Sequence, residues 1–72
     1  MRPAGQDDVS ELLLYRVRGE FLEMPGLRLT LAQASRLWHM DVAVCASVLM
    51  RLVSDRFLTC TRQGAYVRLD QA

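Results

Sequence analysis

The chain has 72 residues, 51% hydrophobic and 24% charged, enough for one small domain and too apolar for a disordered segment. Its net charge is +1, with nine arginines, no lysine and eight acids, which excludes a strongly basic or acidic protein. No apolar run approaches the roughly 20 residues that span a bilayer, and Met1-Arg2-Pro3-Ala4-Gly5 leads into acids rather than an apolar signal core, so a cytoplasmic, non-membrane protein is expected.

Residues 1–7 read as a lead and residues 8–70 as a single domain. Asp8-Val9-Ser10-Glu11 has the form of a capping box, in which Asp8 accepts from a backbone N–H three residues on and Glu11 reaches back. A first helix is predicted from Val9 to Glu23, stopped by Pro25-Gly26. Leu27-Arg28-Leu29 alternates and reads as a very short strand. Thr30-Leu31-Ala32-Gln33 is a second capping box and opens a short helix ending at Leu37 or Trp38. Asp41 then caps a third helix reaching about Asp55. Phe57 to Thr61 and Ala65 to Leu69 read as strands around Arg62-Gln63-Gly64. The expected class is α+β, in the order helix, short strand, helix, helix, β-hairpin.

Helical periodicity assigns faces. In the third helix Val42, Cys45, Val48, Leu49 and Leu52 share the face expected in the core, against Leu31, Ala34 and Leu37 of the second helix. Ala43, Ser47, Met50 and Ser54 lie opposite, edged by Val44, Ala46 and Arg51. The first helix carries two apolar stripes. Leu13, Leu14, Val17, Phe21 and Met24 form the one expected in the core. Leu12, Tyr15, Gly19 and Leu22 form the other, bounded by Glu11 and Arg18 on one side and by Arg16, Glu20 and Glu23 on the other. Two stripes call for two packing partners, so Leu12, Tyr15, Gly19 and Leu22 are expected at a homodimer or heteromeric interface. The competing reading has the hairpin or the N-terminal lead cover them.

The element order, together with Leu29 through Leu37, then Cys45, Leu49, Leu52 and Phe57-Leu58, then Gly64-Ala65-Tyr66, resembles the winged helix-turn-helix family, particularly IclR-like and MarR-like bacterial DNA-binding domains. That resemblance implies a transcription regulator that binds duplex DNA as a homodimer. It implies DNA contacts from the third helix through Ala43, Val44, Ser47, Met50 and Arg51, from Arg36 early in the second helix, and from Arg62 and Gln63 in the wing. The chain departs from the family pattern at two places. The first two turns of the third helix offer no Arg, Lys, Asn or Gln for base edges. The turn before it, Leu37-Trp38-His39-Met40, lacks the frequent glycine. Trp38 is read as a cover for the core edge, against a contact of Trp38 or His39 with a nucleic-acid backbone.

No cofactor and no metal are expected, because Cys45, Cys60 and His39 supply neither C-x-x-C nor H-x-x-x-H spacing. Both cysteines are predicted to be inward and inert, and no nucleophile–base or glycine-rich phosphate motif appears, so an enzyme is not expected. Charge is uneven: residues 1–27 hold three arginines and five acids, residues 28–72 six arginines and three acids. This asymmetry suits an anionic partner. The rival expectation is a protein-interaction module, docking a partner through Ala43, Val44, Ala46 and Met50. Arg36, Arg51 and Arg62 gathered on one positive surface would favour DNA; arginines scattered or paired with acids would favour protein.

Overall fold

The computed structural model describes residues 10–71. Its elements are α1 (Glu11–Glu23), β1 (Leu29–Thr30), α2 (Leu31–Trp38), α3 (Val42–Ser54), β2 (Leu58–Cys60) and β3 (Ala65–Arg68), then a short 3-10 turn at Leu69–Gln71. The class is α+β, with three helices and a small antiparallel sheet ordered β1-β3-β2.

The helix starts follow from side-chain oxygens that satisfy otherwise unpaired N–H groups. Ser10 caps α1, its Oγ accepting from Leu12 and Leu13. The helix therefore begins at Glu11 rather than Val9, while Asp8 and Val9 lie outside the described residues. Thr30 and Gln33 form a reciprocal box: Gln33 N–H donates to Thr30 Oγ1 at 3.1 Å and Thr30 N–H to Gln33 Oε1 at 2.9 Å. Asp41 caps α3 through Oδ2, which accepts from Ala43 and Val44.

Both α2 and α3 end in Schellman motifs. Met40 N–H donates to Ser35 O and His39 N–H to Arg36 O; Phe57 N–H donates to Leu52 O and Arg56 N–H to Val53 O. The left-handed residue of each motif is not glycine: His39 has φ 52° and Arg56 φ 65°. For such residues this conformation costs about 1–2 kcal/mol, so the surrounding contacts impose it. At the first turn Ser35 Oγ also donates to the Met40 carbonyl at 2.7 Å, bracing the corner.

The sheet is small. Leu29 pairs with Tyr66 and Thr30 with Ala65, so β1 starts two residues later and ends one residue later than the alternation predicts. Thr30 thus serves both as a strand residue and as the cap of α2. On the other edge Leu58, Thr59 and Cys60 face Arg68, Val67 and Tyr66. Arg62, Gln63 and Gly64 close the hairpin, with Gly64 N–H donating to Thr61 O and Gly64 at φ 85°, a conformation that favours glycine there. Leu69 leaves the strand for the 3-10 turn.

The core consists of Val17, Phe21, Ala34, Trp38, Cys45, Val48, Leu49, Leu52 and Leu58. Phe21 and Trp38 meet edge to face with centroids 6.2 Å apart, joining α1 to α2. Of the other expected core residues, Leu13, Leu14 and Leu31 are partly buried against it, while Met24, Leu37 and Val42 are each about half exposed. Met24 is the C-cap of α1 and Val42 the first residue of α3, both at element ends. In α2 the i, i+4 pair Ala34–Trp38 turns inward and rotates Leu37 to the flank. Trp38 therefore fills the core, in agreement with its reading as a core cover.

Candidate functional site

Two surfaces carry the residues singled out above. The first involves α2, α3 and the β2–β3 turn. α2 packs on α3, and the pair is bent by 114° across the Trp38–Asp41 corner. Ala43, Met50 and Ser54 are exposed on the outer side of α3 and Ser47 is half-buried. Val44 is half-buried and packs against the core, so it forms an edge of that surface rather than its centre. The outer face holds no charged side chain and no amide.

The arginines fall in separate places. Arg36 lines a shallow depression with Arg28, Leu29, Gln33 and Leu37, beside the capping box of α2. Arg51 lines a different groove, between α1 and α3, with Glu11, Leu14, Tyr15, Arg18, Leu52 and Asp55. There its Nε lies 3.6 Å from Asp55 Oδ2, an exposed i, i+4 pair. Arg62 and Gln63 are exposed at the hairpin turn. Arg36, Arg51 and Arg62 thus share no single depression. A further basic cluster was not anticipated. Arg18 and Arg68 lie over Phe57, at 5.0 and 5.9 Å from its ring centre, and Arg68 also bonds Asp70 at 2.8 Å. Only the fold reveals it, because Phe57, Arg18 and Arg68 are far apart in sequence.

The second surface is the outer face of α1. Leu12 is 78% exposed, Tyr15 79% and Leu22 52%. Among the described residues nothing covers this stripe, so the hairpin does not supply its partner; the lead lies outside the described residues. A Cβ placed on Gly19 would meet nothing within 4 Å among the described residues.

The cysteines separate. Cys45 is buried, and burial pushes its thiol above the ordinary range, as expected for an inert core residue. Cys60 is exposed, against expectation. It shares a strand face with buried Leu58, yet β2 has by then run past the core, and alternation alone does not register where a core ends. Burial, with the neighbouring Cys60 and Cys45 thiols, pushes the Tyr66 phenol up. Among the described residues no three His, Cys, Asp or Glu side chains gather into a metal-binding group. No single described helix is long and apolar enough to cross a membrane. In comparisons with known proteins, no family model, no curated protein and no solved structure matches this chain.

Proposed function

We propose that the chain is a winged helix-turn-helix protein that binds duplex DNA mainly through phosphates, with little reading of base edges. The observation carrying this reading is the bent helix pair followed by a hairpin. The arginines around it are scattered, the pattern expected of a protein-docking module, and supply phosphate-backbone contacts only. Arg28 and Arg36 line one depression on α2, and Arg62 and Gln63 stand exposed on the hairpin that follows α3. The 114° bend supports it, since helix-turn-helix pairs cross at about 90–120°. The outer face of α3, with Ala43, Ser47 and Met50, has small or apolar side chains that fit a groove yet offer little base discrimination. Arg51, paired with Asp55, has a lesser role.

Three arginines per chain neutralising three phosphates give a log–log salt slope of about −2.7, or roughly 40-fold weaker binding at 200 than at 50 mM salt. Fluorescence anisotropy of labelled duplexes of mixed sequence measures this. Arg36→Ala and Arg62→Ala should each flatten the slope by about 0.9. Absence of binding at 50 mM salt with about 100 µM protein would rule the proposal out, since non-specific contacts fall in or below that range.

A protein-docking role is the second reading, favoured by one specific observation. Val42, Ala46 and Met50 follow one another at helical spacing along the edge of α3, with Val42 and Met50 more than half exposed at 53% and 58%. Arg51 is also bound to an acid rather than displayed beside that edge. A Met50→Glu variant that retains DNA binding but loses a partner would identify this use.

A further inference from the structure

We infer that the outer face of α1 is a self-association surface, on which a second copy of this chain packs with its α1 running antiparallel. The inference is independent of DNA binding.

Leu12, Tyr15, Gly19 and Leu22 lie diametrically opposite the buried residues Val17 and Phe21. Reversing a second α1 about a point level with Val17 sets Leu12 against Leu22 of the second copy and Tyr15 against its Gly19. Both pairs come into register together, and the largest side chain meets the residue without one. Parallel pairing would instead stack Tyr15 on Tyr15 and leave the two glycines facing a void.

Gly19 is the second observation. Glycine is the poorest helix former after proline, and it stands here in the interior of a thirteen-residue helix. No contact among the described residues requires it, because a Cβ there meets none of their atoms within 4 Å. A close approach from outside gives the glycine a physical reason.

The flanking charges fit the same occupant. Glu11 and Arg18 border one side of the stripe, Arg16, Glu20 and Glu23 the other. In the antiparallel pair each flank meets its own copy, so Glu11 can approach Arg18 of the second copy and Arg16 its Glu23. These charges permit self-pairing in either direction; side-chain size selects the antiparallel one. A single four-residue stripe is at the small end of protein interfaces, so the dissociation constant is expected in the micromolar range.

Sedimentation velocity of the full chain from about 1 to 500 µM tests the idea, since that span brackets a micromolar constant. The mass should rise from one copy toward two. Gly19→Leu should remain folded, with an unchanged or higher melting temperature because its side chain has space, yet dissociate at least tenfold more readily. For direction, Leu12→Cys and Leu22→Cys chains, each also carrying Cys60→Ser, should form disulfide dimers when mixed and not separately. A wild-type chain that stays monomeric throughout, including one whose stripe is protected by its own residues 1–9, overturns the inference. So does a Gly19→Leu chain that associates as well as wild type. Cross-linking of Leu12→Cys with itself overturns the antiparallel direction.

Discussion

α1 and α3 have the same length and the same kind of start, a side-chain oxygen accepting from two backbone N–H groups, yet different tertiary environments. α3 buries Cys45, Val48, Leu49 and Leu52 and has neighbours in α1, α2 and β2. α1 buries Val17 and Phe21 and leaves Leu12 and Tyr15 almost as open as in an extended chain. The helix in the middle of the domain can satisfy its apolar face internally. The helix at the edge has one internal neighbour surface and two apolar faces. In a small domain, hydrophobic content therefore identifies core only when an element has something on each side of it.

The sharpest way to break this comparison is to truncate one leucine on each helix. Leu49→Ala, at a fully buried position, should cost about 2–5 kcal/mol in urea unfolding, whereas Leu22→Ala should change the stability of the isolated chain by less than about 0.5 kcal/mol. Equal effects would show that α1 is packed on both faces. Removing the starts should matter less: Thr30→Ala and Asp41→Ala should each lose about 0.5–2 kcal/mol. At the ends of α2 and α3 the sign reverses. His39→Gly and Arg56→Gly should each gain up to about 1 kcal/mol, because glycine adopts the left-handed conformation without a Cβ clash. Smallest of all, Arg51→Ala should cost about 0.3–0.5 kcal/mol, as befits an exposed i, i+4 pair.

Burial distinguishes the two thiols, and alkaline pH probes the buried groups. In the folded chain Cys45 and Tyr66 ionise above their ordinary values of 9.0 and 10.0. Their stabilising contribution is present below the unfolded values and is lost as pH rises through the raised ones. Thermal melts should therefore fall in temperature above about pH 9. At neutral pH a thiol reagent should label Cys60 at once and Cys45 only on unfolding. Rapid labelling of both would contradict the burial of α3.

Local chemistry was the most legible level of this sequence. Thr30 with Gln33, Asp41, Pro25-Gly26 and Gly64 each require a particular backbone, and the caps and hairpin formed where those residues stand. The four residues 45, 48, 49 and 52 of α3 were legible for the same reason, since a 3.6-residue period leaves one solution for a helix with that many apolar side chains. What periodicity could not settle was extent. Met24, Val42 and Cys60 have the correct spacing for burial but stand beyond the reach of their neighbours. Leu37 and Trp38 compete for one position at the end of an eight-residue helix, and the larger surface prevails. The candidate sites were less legible. Stripes can be counted along one helix, but the groove that holds Arg51 and the arginine cluster on Phe57 arise from pairs of elements.

Trp38, the only tryptophan, lies at the junction of the first two helices with its indole edge against Phe21 and its Nε1 buried without a hydrogen-bond partner among the described residues. The chain thus carries an optical reporter at a single internal joint. Its emission, at short wavelength in the dry core, should shift red when α1 lifts from the helix pair, even if α2, α3 and the hairpin stay together. Comparing that signal with far-ultraviolet circular dichroism during unfolding would reveal whether the edge helix and the domain centre come apart in one step or two.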